Sequence, residues 1–492
     1  MQIPPCQISG IRPAARFESE QELRYFRIFC EQTAQQIAGP FKSSLWGRLV
    51  PQVSELEPFV RNAMVAIGAM TQISKDMRNS PVNQDGGGSH LLNLEHHFAL
   101  KQYDKALKGM RDATVRGKYD LRIALIACLL AFCLETLQGR QGPACTLATS
   151  GLALFHQNIG RNDRRDLSLR ELSGSSCSLE DELVNSLASL DIQVLFFLDG
   201  RPLALHQRTI NEATEALKFM PLQFSNLNEA RFYSQTITRR NFHFKAKAQS
   251  MGKAAALGGK KESLAWKETA DFPAGEIPFS KVKDPSPEIQ AEAQAYIMDT
   301  HRWSNAATKL FKSIPRNDQA SNIIALILQI HAKMSLITLA GMTFTDEASF
   351  DAFLPDFRAI VNLASHIHPC LIKSSQDSGL YHFDLGILPA LYLVGTRCRD
   401  KTVRAKAIDL ISSSPYREGI WDSGAIASIS SWIRSVEVGL NGGNEEYIPE
   451  YNRVFLTSAN VDLYNRRSKV YCTRRKGPGH EDLTFMEVLL KW

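Results

Sequence analysis

The chain has 492 residues, of which 44% are hydrophobic, 9% aromatic and 22% charged. This makeup is that of an average soluble globular protein and excludes disordered, fibrous and membrane-embedded compositions. The formal net charge of +6 has functional meaning only where the basic excess is clustered.

The N-terminus and the cysteines indicate the compartment. Residues 1–20 lack the apolar stretch that marks a secretory signal, so we expect an intracellular protein. The longest apolar run, Ile123–Leu134, is shorter than the ~20 residues that span a bilayer and is interpreted as a buried helix. Nine dispersed cysteines without a C-x-x-C pair indicate reduced thiols and argue against a metal site.

The first part of the chain has apolar residues at three- and four-residue intervals, which predicts amphipathic helices. These helices are expected at 26–37, at 60–71 and at Leu94–Met110. The next segment, Leu121–Leu137, is apolar on all sides, so we predict that it is the buried centre of the N-terminal half.

Helix signals continue through the second part of the chain. A capping-box sequence at Ser178–Asp181 predicts the start of another helix. Further helices are expected at 286–312, 322–340, 350–366 and 403–412. Only Lys469–Thr473 has a β-prone composition, so the predicted fold class is all-α, a large helical domain with long loops.

Polar and glycine-rich stretches at 79–90, 160–178 and 244–287 interrupt the helices. The last is interpreted as a linker. The predicted organisation is a short flexible N-terminus at 1–21, an N-terminal helical half at 22–243, a lysine-rich linker at 244–287, a C-terminal helical half at 288–475 and a tail at 476–492.

A search for catalytic motifs finds none. The stretch Gly252–Lys261 resembles a phosphate loop, but Lys261 stands where Ser or Thr would hold Mg²⁺. His96 and His97 diverge on a helix and are interpreted as surface residues, and His331 as a core residue. We therefore predict that the chain is not an enzyme, and we assign no catalytic, cofactor-binding or metal-ligating residue and no cofactor.

Two segments of the C-terminal half form the most specific sequence pattern: FDLGILPALYLVGTRCRDKTVRAKAIDLI at Phe383–Ile411 and YREGIWDS at Tyr416–Ser423. Together with segments of the N-terminal half, they resemble in order the C-terminal regulatory region of fungal binuclear zinc-cluster (Zn₂Cys₆) transcription factors, over about residues 22–475. The N-terminal segments are Arg24–Ala34, Ser43–Met70, Leu100–Met110, Leu121–Leu137, Ser150–Phe155, Glu180–Gln193 and Phe224–Arg231.

The segments of this resemblance are interpreted as scaffold. Gly386 and Pro389 are expected to shape the start of a helix, and Trp421 to supply buried area. The neighbouring charged residues are expected to pair or cap locally; these residues are Arg417, Glu418 and Asp422. The family commonly has Arg where this chain has Tyr416.

The DNA-binding module is the largest departure from the family. Its two C-x₂-C-x₆-C halves hold two zinc ions, whereas only Cys6 precedes the regulatory region here. The resemblance therefore implies a nuclear transcriptional regulator that controls a pathway or secondary-metabolite gene cluster through its helical domain and protein partners.

The partners implied are a full-length zinc-cluster factor or the transcription machinery, with DNA association indirect or through an upstream module. No membrane association is expected, and a homo- or heterodimer is compatible with the resemblance. Two alternatives stay open. One is an upstream exon that encodes the zinc cluster, and the other is a helical small-molecule-binding protein or an enzyme with no recognisable active site.

The basic excess is confined to two stretches. Residues Lys245–Lys283 carry a net +4 and Arg466–Lys476 a net +6, so the remainder of the chain carries −4. Both stretches are interpreted as solvated basic loops, with nuclear-import signals as the alternative.

Overall fold

A computed structural model describes residues 16–79, 86–115, 120–159, 179–196, 201–256, 285–378, 381–479 and 482–492. Most of the predicted N-terminal segment, the predicted interruption at 160–178 and residues 257–284 of the lysine-rich stretch lie outside these ranges. So do Ser178 of the predicted capping box and the second half of the stretch that resembles a phosphate loop.

Helices make up most of the N-terminal half. Helix α6 (Leu121–Leu137) is buried along most of its length against its neighbours, as its all-round apolar pattern predicts. Helices of this half are α1 (Glu20–Ile28), α2 (Ala34–Ala38), α3 (Val50–Leu56), α4 (Pro58–Asn79), α5 (Gly86–Val115), α6, α7 (Gln141–Ile159), α8 (Leu179–Leu195), α9 (Leu203–Leu217) and α10 (Leu227–Ala256). Two π-helical turns, Phe29–Thr33 and Leu45–Leu49, lie among them.

The C-terminal half continues with α11 (Pro287–Ser313), α12 (Gln319–Gly341), α13 (Leu354–Ser378), α14 (Leu388–Arg397), α15 (Lys401–Ser412) and α16 (Ser423–Leu440). Among the described residues, only α12 is long and apolar enough to cross a membrane. In this protein it packs against α10, α11 and α13, and 56% of its apolar window is buried, as in a core helix.

Two small sheets accompany the helices. The first joins β1 (Tyr381–His382), parallel to β2 (Arg417–Glu418), which is antiparallel to β3 (Trp421–Asp422). The second is an antiparallel sheet of β4 (Phe455–Asp462), β5 (Arg467–Arg475) and β6 (Leu483–Lys491), with β5 in the centre. The fold is predominantly helical, which confirms the predicted class.

The C-terminal sheet corrects one part of the predicted organisation. The segment expected to be a tail, residues 476–492, contains strand β6, and the basic stretch Arg466–Lys476 contains the central strand. Val470 and Cys472 are fully buried on the inner side of β5, while Arg467 and Lys469 alternate with the buried residues on the other side. This two-residue alternation makes a half-buried strand out of a sequence that is basic overall.

The predicted linker also begins later than expected. Helix α10 continues to Ala256, because Phe244 and Ala248 are buried in a small core cluster with Tyr296 and Leu339. Residues 244–256 therefore belong to the helical body.

The two halves share one hydrophobic core. The ring of Phe132 in α6 lies 5.8 Å from the ring of Phe383, and the Thr136 hydroxyl donates to the Tyr381 hydroxyl at 2.9 Å. The main core cluster contains residues of both halves. The halves are therefore parts of one packed body.

Candidate functional site

The segment that carries the strongest resemblance, Phe383–Ile411, begins at the junction of the two halves. Phe383 is completely buried, and its ring lies 5.1 Å from that of Trp46. Its main-chain N–H donates to the Ile37 carbonyl at 3.0 Å, and its carbonyl accepts from Gln193 Nε2 at 2.8 Å. These contacts agree with the interpretation of the segment as scaffold.

Glu418 caps the start of helix α14. Its buried carboxylate accepts from the main-chain N–H groups of Gly386, Ile387 and Leu388, each at 2.9 Å. A Cβ at position 386 would meet Glu418 Oε1 at 2.5 Å, which explains the glycine. Burial raises the pKa of Glu418 to about 7, although the three N–H donors act to lower it.

The other charged residues of this region pair as predicted. Arg417 Nε donates to Asp422 Oδ2 at 2.9 Å, and Asp422 Oδ1 accepts from the Ala425 N–H as the N-cap of α16. Tyr416 is buried, and its hydroxyl has no hydrogen-bond partner in the described part of the chain. Burial and the nearby Glu418 raise its pKa.

A buried ionic cluster that the sequence did not reveal joins α8, α9 and α10. Asp191 is fully buried and forms ion pairs with Arg201 and Arg239. It also contacts His243 Nε2 at 3.1 Å, and His243 Nδ1 faces His206 Nδ1 at 2.9 Å. Burial lowers the pKa of His243, and Arg201 and Arg239 lower that of Asp191 despite its burial.

This cluster is compatible with one protonation pattern at neutral pH. Ionised Asp191 accepts a hydrogen bond from the Nε2–H of neutral His243, so Nδ1 of His243 is an acceptor and the Nδ1–H of His206 is the donor. The only hint in the sequence was an aspartate in the apolar stretch LASLDIQV, because its partners lie on other helices.

A second buried network connects α14, α15 and α16 to the C-terminal sheet. Glu437 accepts from Arg399 and Arg404, each at 2.6 Å, and from the main-chain N–H of Val454 at 2.7 Å, next to β4. Arg399 and Arg397 also pair with Glu347. Burial alone would raise the pKa of Glu437, but the attraction of Arg399 and Arg404 is stronger, so this pKa lies below its usual value.

The histidines and cysteines fit their predicted structural roles. His331 is half-buried, and its Nε2 lies 2.8 Å from the Gly386 carbonyl oxygen. His97 is exposed on α5 and His96 is half-exposed. The cysteines within the described ranges are free thiols, and burial raises the pKa of Cys128 and Cys398 to about 11.

Within the described ranges, no group of three or more His, Cys, Asp or Glu residues is placed to hold a metal ion. An apolar crevice between α4, α5 and α6 is lined by Phe59, Tyr103 and Leu130, among others, but has no room for a water molecule.

The C-terminal sheet has an exposed apolar surface, which is the candidate functional site. We call the outward side of strand β6, with Leu483, Phe485, Glu487, Leu489 and Lys491, the β6 surface. Its three apolar side chains are 59%, 57% and 50% exposed, in chain order. The opposite side of the strand, with Met486, Val488 and Leu490, packs on the core. Exposed apolar groups on an edge strand are typical of a binding surface.

Comparison with known proteins gives one informative match. The chain is 23% identical to the aspercryptin biosynthesis cluster-specific transcription regulator of Emericella nidulans, over 85% of this chain and 73% of that protein. No protein-family model and no solved structure matches the chain. The similarity covers most of the helical body and supports a relationship to fungal pathway-specific transcription regulators.

Proposed function

We propose that the chain is a non-enzymatic, nuclear regulator of fungal transcription that acts through its helical body and protein partners. The observation that carries this proposal is the similarity, over 85% of the chain, to a regulator named for one biosynthetic gene cluster. By the same argument, the targets are the genes of one pathway or secondary-metabolite cluster.

The electrostatics of the basic stretch support action through partners rather than direct reading of DNA. Lys469 pairs with Glu487 at 2.7 Å, and Arg467 with Asp462 at 2.9 Å. Lys476 pairs with Asp482 at 3.2 Å. Such pairing reduces the positive field available for phosphate contacts, which dominate DNA affinity.

Transcript profiling of a deletion strain, with genome-wide occupancy of a tagged chain, tests the regulatory role. We expect the transcripts of a contiguous gene group to change and the tagged chain to occupy their promoters. Unchanged transcription on deletion would contradict the proposal.

The dependence on partners has its own test. The purified chain is expected to give no sequence-specific gel shift on the occupied promoters, whereas the tagged chain purified from cells should bring down a zinc-cluster factor or transcription machinery. A tight, sequence-specific shift by the pure chain would refute the dependence on partners without affecting the regulatory role.

A further inference from the structure

We propose that β6 of one copy pairs antiparallel with β6 of a second copy, so that two C-terminal sheets join into one sheet across a two-fold axis. The partner of the β6 edge is thus this chain itself, and the β6 surfaces of the two copies become neighbours on one face of the joined sheet. The inference concerns assembly of the purified chain and holds or fails independently of the proposed function.

The free edge of β6 is the first observation. Strand β6 runs for nine residues and pairs with β5 on one side, and no other described strand pairs with it. An unpaired edge presents a row of main-chain N–H and C=O groups that can pair with another strand.

Charge complementarity selects the second copy and the register. Facing residues of an antiparallel pair lie on the same side of the sheet, so a two-fold axis near Leu489 places Leu489 opposite Leu489 and Glu487 opposite Lys491 of the other copy. Among the possible two-fold registers, only this one places Glu487 opposite Lys491. The two-fold axis generates this ion pair twice. An axis at Glu487 would instead oppose two carboxylates.

The groups that would pair are available. Lys491 is exposed and has no ion-pair partner among the described residues. Glu487 is held by Lys469 at 2.7 Å on its own sheet, so in the dimer its carboxylate lies between two ammonium groups. In the dimer each Glu487 would therefore be attracted both to Lys469 of its own sheet and to Lys491 of the second copy.

The opposite side of the strand is complementary in the same register. Val488 faces Leu490 of the second copy, and Met486 faces Trp492. All four of these residues are only half-buried in the single chain. Dimerisation would bury apolar surface on both sides of the new strand pair, which favours association.

Charge reversal tests the register in the purified full chain by sedimentation velocity. Glu487→Lys and Lys491→Glu each replace two attractive pairs by two repulsive ones, so each is expected to weaken the dimer by about tenfold or more. The double variant restores opposite charges and is expected to recover most of the affinity. Lys108→Glu, at an exposed position on α5, is the matched control and should leave the dimer unchanged.

A cysteine test measures the register directly. Opposed residues of an antiparallel pair have Cα atoms about 4.5 to 5.5 Å apart, within disulfide range. Under mild oxidation Leu489→Cys should form a covalent dimer faster than Glu487→Cys, with the parent chain as background. A parent chain that is monomeric at high concentration, single reversals without effect, or faster crosslinking at 487 would each overturn the proposal.

Discussion

The carboxylate of Glu418 provides the helix cap that α14 does not obtain from its own N-cap residue. Ile387 occupies the N-cap position and has no side-chain oxygen, so the three N–H groups at 386–388 depend on a residue about thirty positions later. A single side chain thus fixes the start of α14 against the first small sheet.

The pKa of Glu418 predicts a pH-dependent contribution to stability. The folded-state pKa of about 7 lies above the ordinary value of 4.5, so the contribution is fully present below pH 4.5 and is lost as the pH rises through 7. The loss amounts to about 3 kcal/mol. Urea unfolding of the parent and of Glu418→Gln across this range checks it: the difference between them should fall with rising pH. A difference independent of pH would contradict the assignment.

Single-residue roles were predictable where they depend on local sequence. His331 stands among apolar residues at helical spacing, so its neighbours predict a core position; in the structure it is half-buried, with Nε2 against the Gly386 carbonyl oxygen. For Asp191, the sequence shows only that an acidic residue lies on an otherwise apolar helix. Its partners Arg201, Arg239 and His243 lie on or next to other helices, and only tertiary packing brings them together.

Among the elements, helix α16 connects the C-terminal sheet to the helical body. Glu437 near its end binds Arg399, Arg404 and the main chain at Val454, immediately before β4. The carboxylate is completely buried, and both guanidinium groups are 3% exposed.

Removal of this carboxylate should be severely destabilising. Glu437→Ala removes the counter-ion of buried Arg404 and leaves buried Arg399 with Glu347 alone, and we expect the free energy of unfolding to fall by about 3 to 5 kcal/mol. Glu445→Ala is the matched control, because it removes the more exposed pair with Arg434 of the same helix and should cost at most about 1 kcal/mol. Thermal or urea unfolding of both variants measures the difference, and equal small losses would refute this role.

The helices were predictable and the last strand was not. The apolar composition of Leu121–Leu137 predicts a buried helix, and helix α6 has the same first and last residues. Strand β6 reads LTFMEVLLK, with apolar residues on both sides, so its sequence does not alternate although its exposure does. The core-facing side is decided by β5 and α16, which lie elsewhere in the sequence.

For the whole molecule, buried neutral histidines determine the response to acid. Burial lowers the pKa of His156 and His382 to about 4 and lowers those of His243, His331 and His368 as well. A histidine whose folded-state pKa lies below the ordinary 6.5 takes up its proton more readily in the unfolded chain, so stability falls as the pH drops below 6.5.

We expect the urea midpoint to fall steeply between pH 6.5 and 4. For His382 alone the loss is about 3 kcal/mol at the acid end, since the shift is about 2.5 pH units. His382→Gln should show a shallower decline than the parent, while the exposed-site variant His97→Gln should follow the parent. An identical decline in all three would contradict a contribution from His382.

Because β5 is the central strand of its sheet, its basic residues have a fixed arrangement that a free peptide of the same sequence lacks. Both sides of its main chain are already paired, with β4 over residues 467–473 and with β6 over Arg467–Arg475. A transplanted peptide of these residues would be a flexible chain with free amides, whereas the folded protein offers a rigid ladder of side chains with fixed spacing. Alanine substitutions within the intact chain, rather than a grafted tag, are therefore the relevant probe of nuclear import.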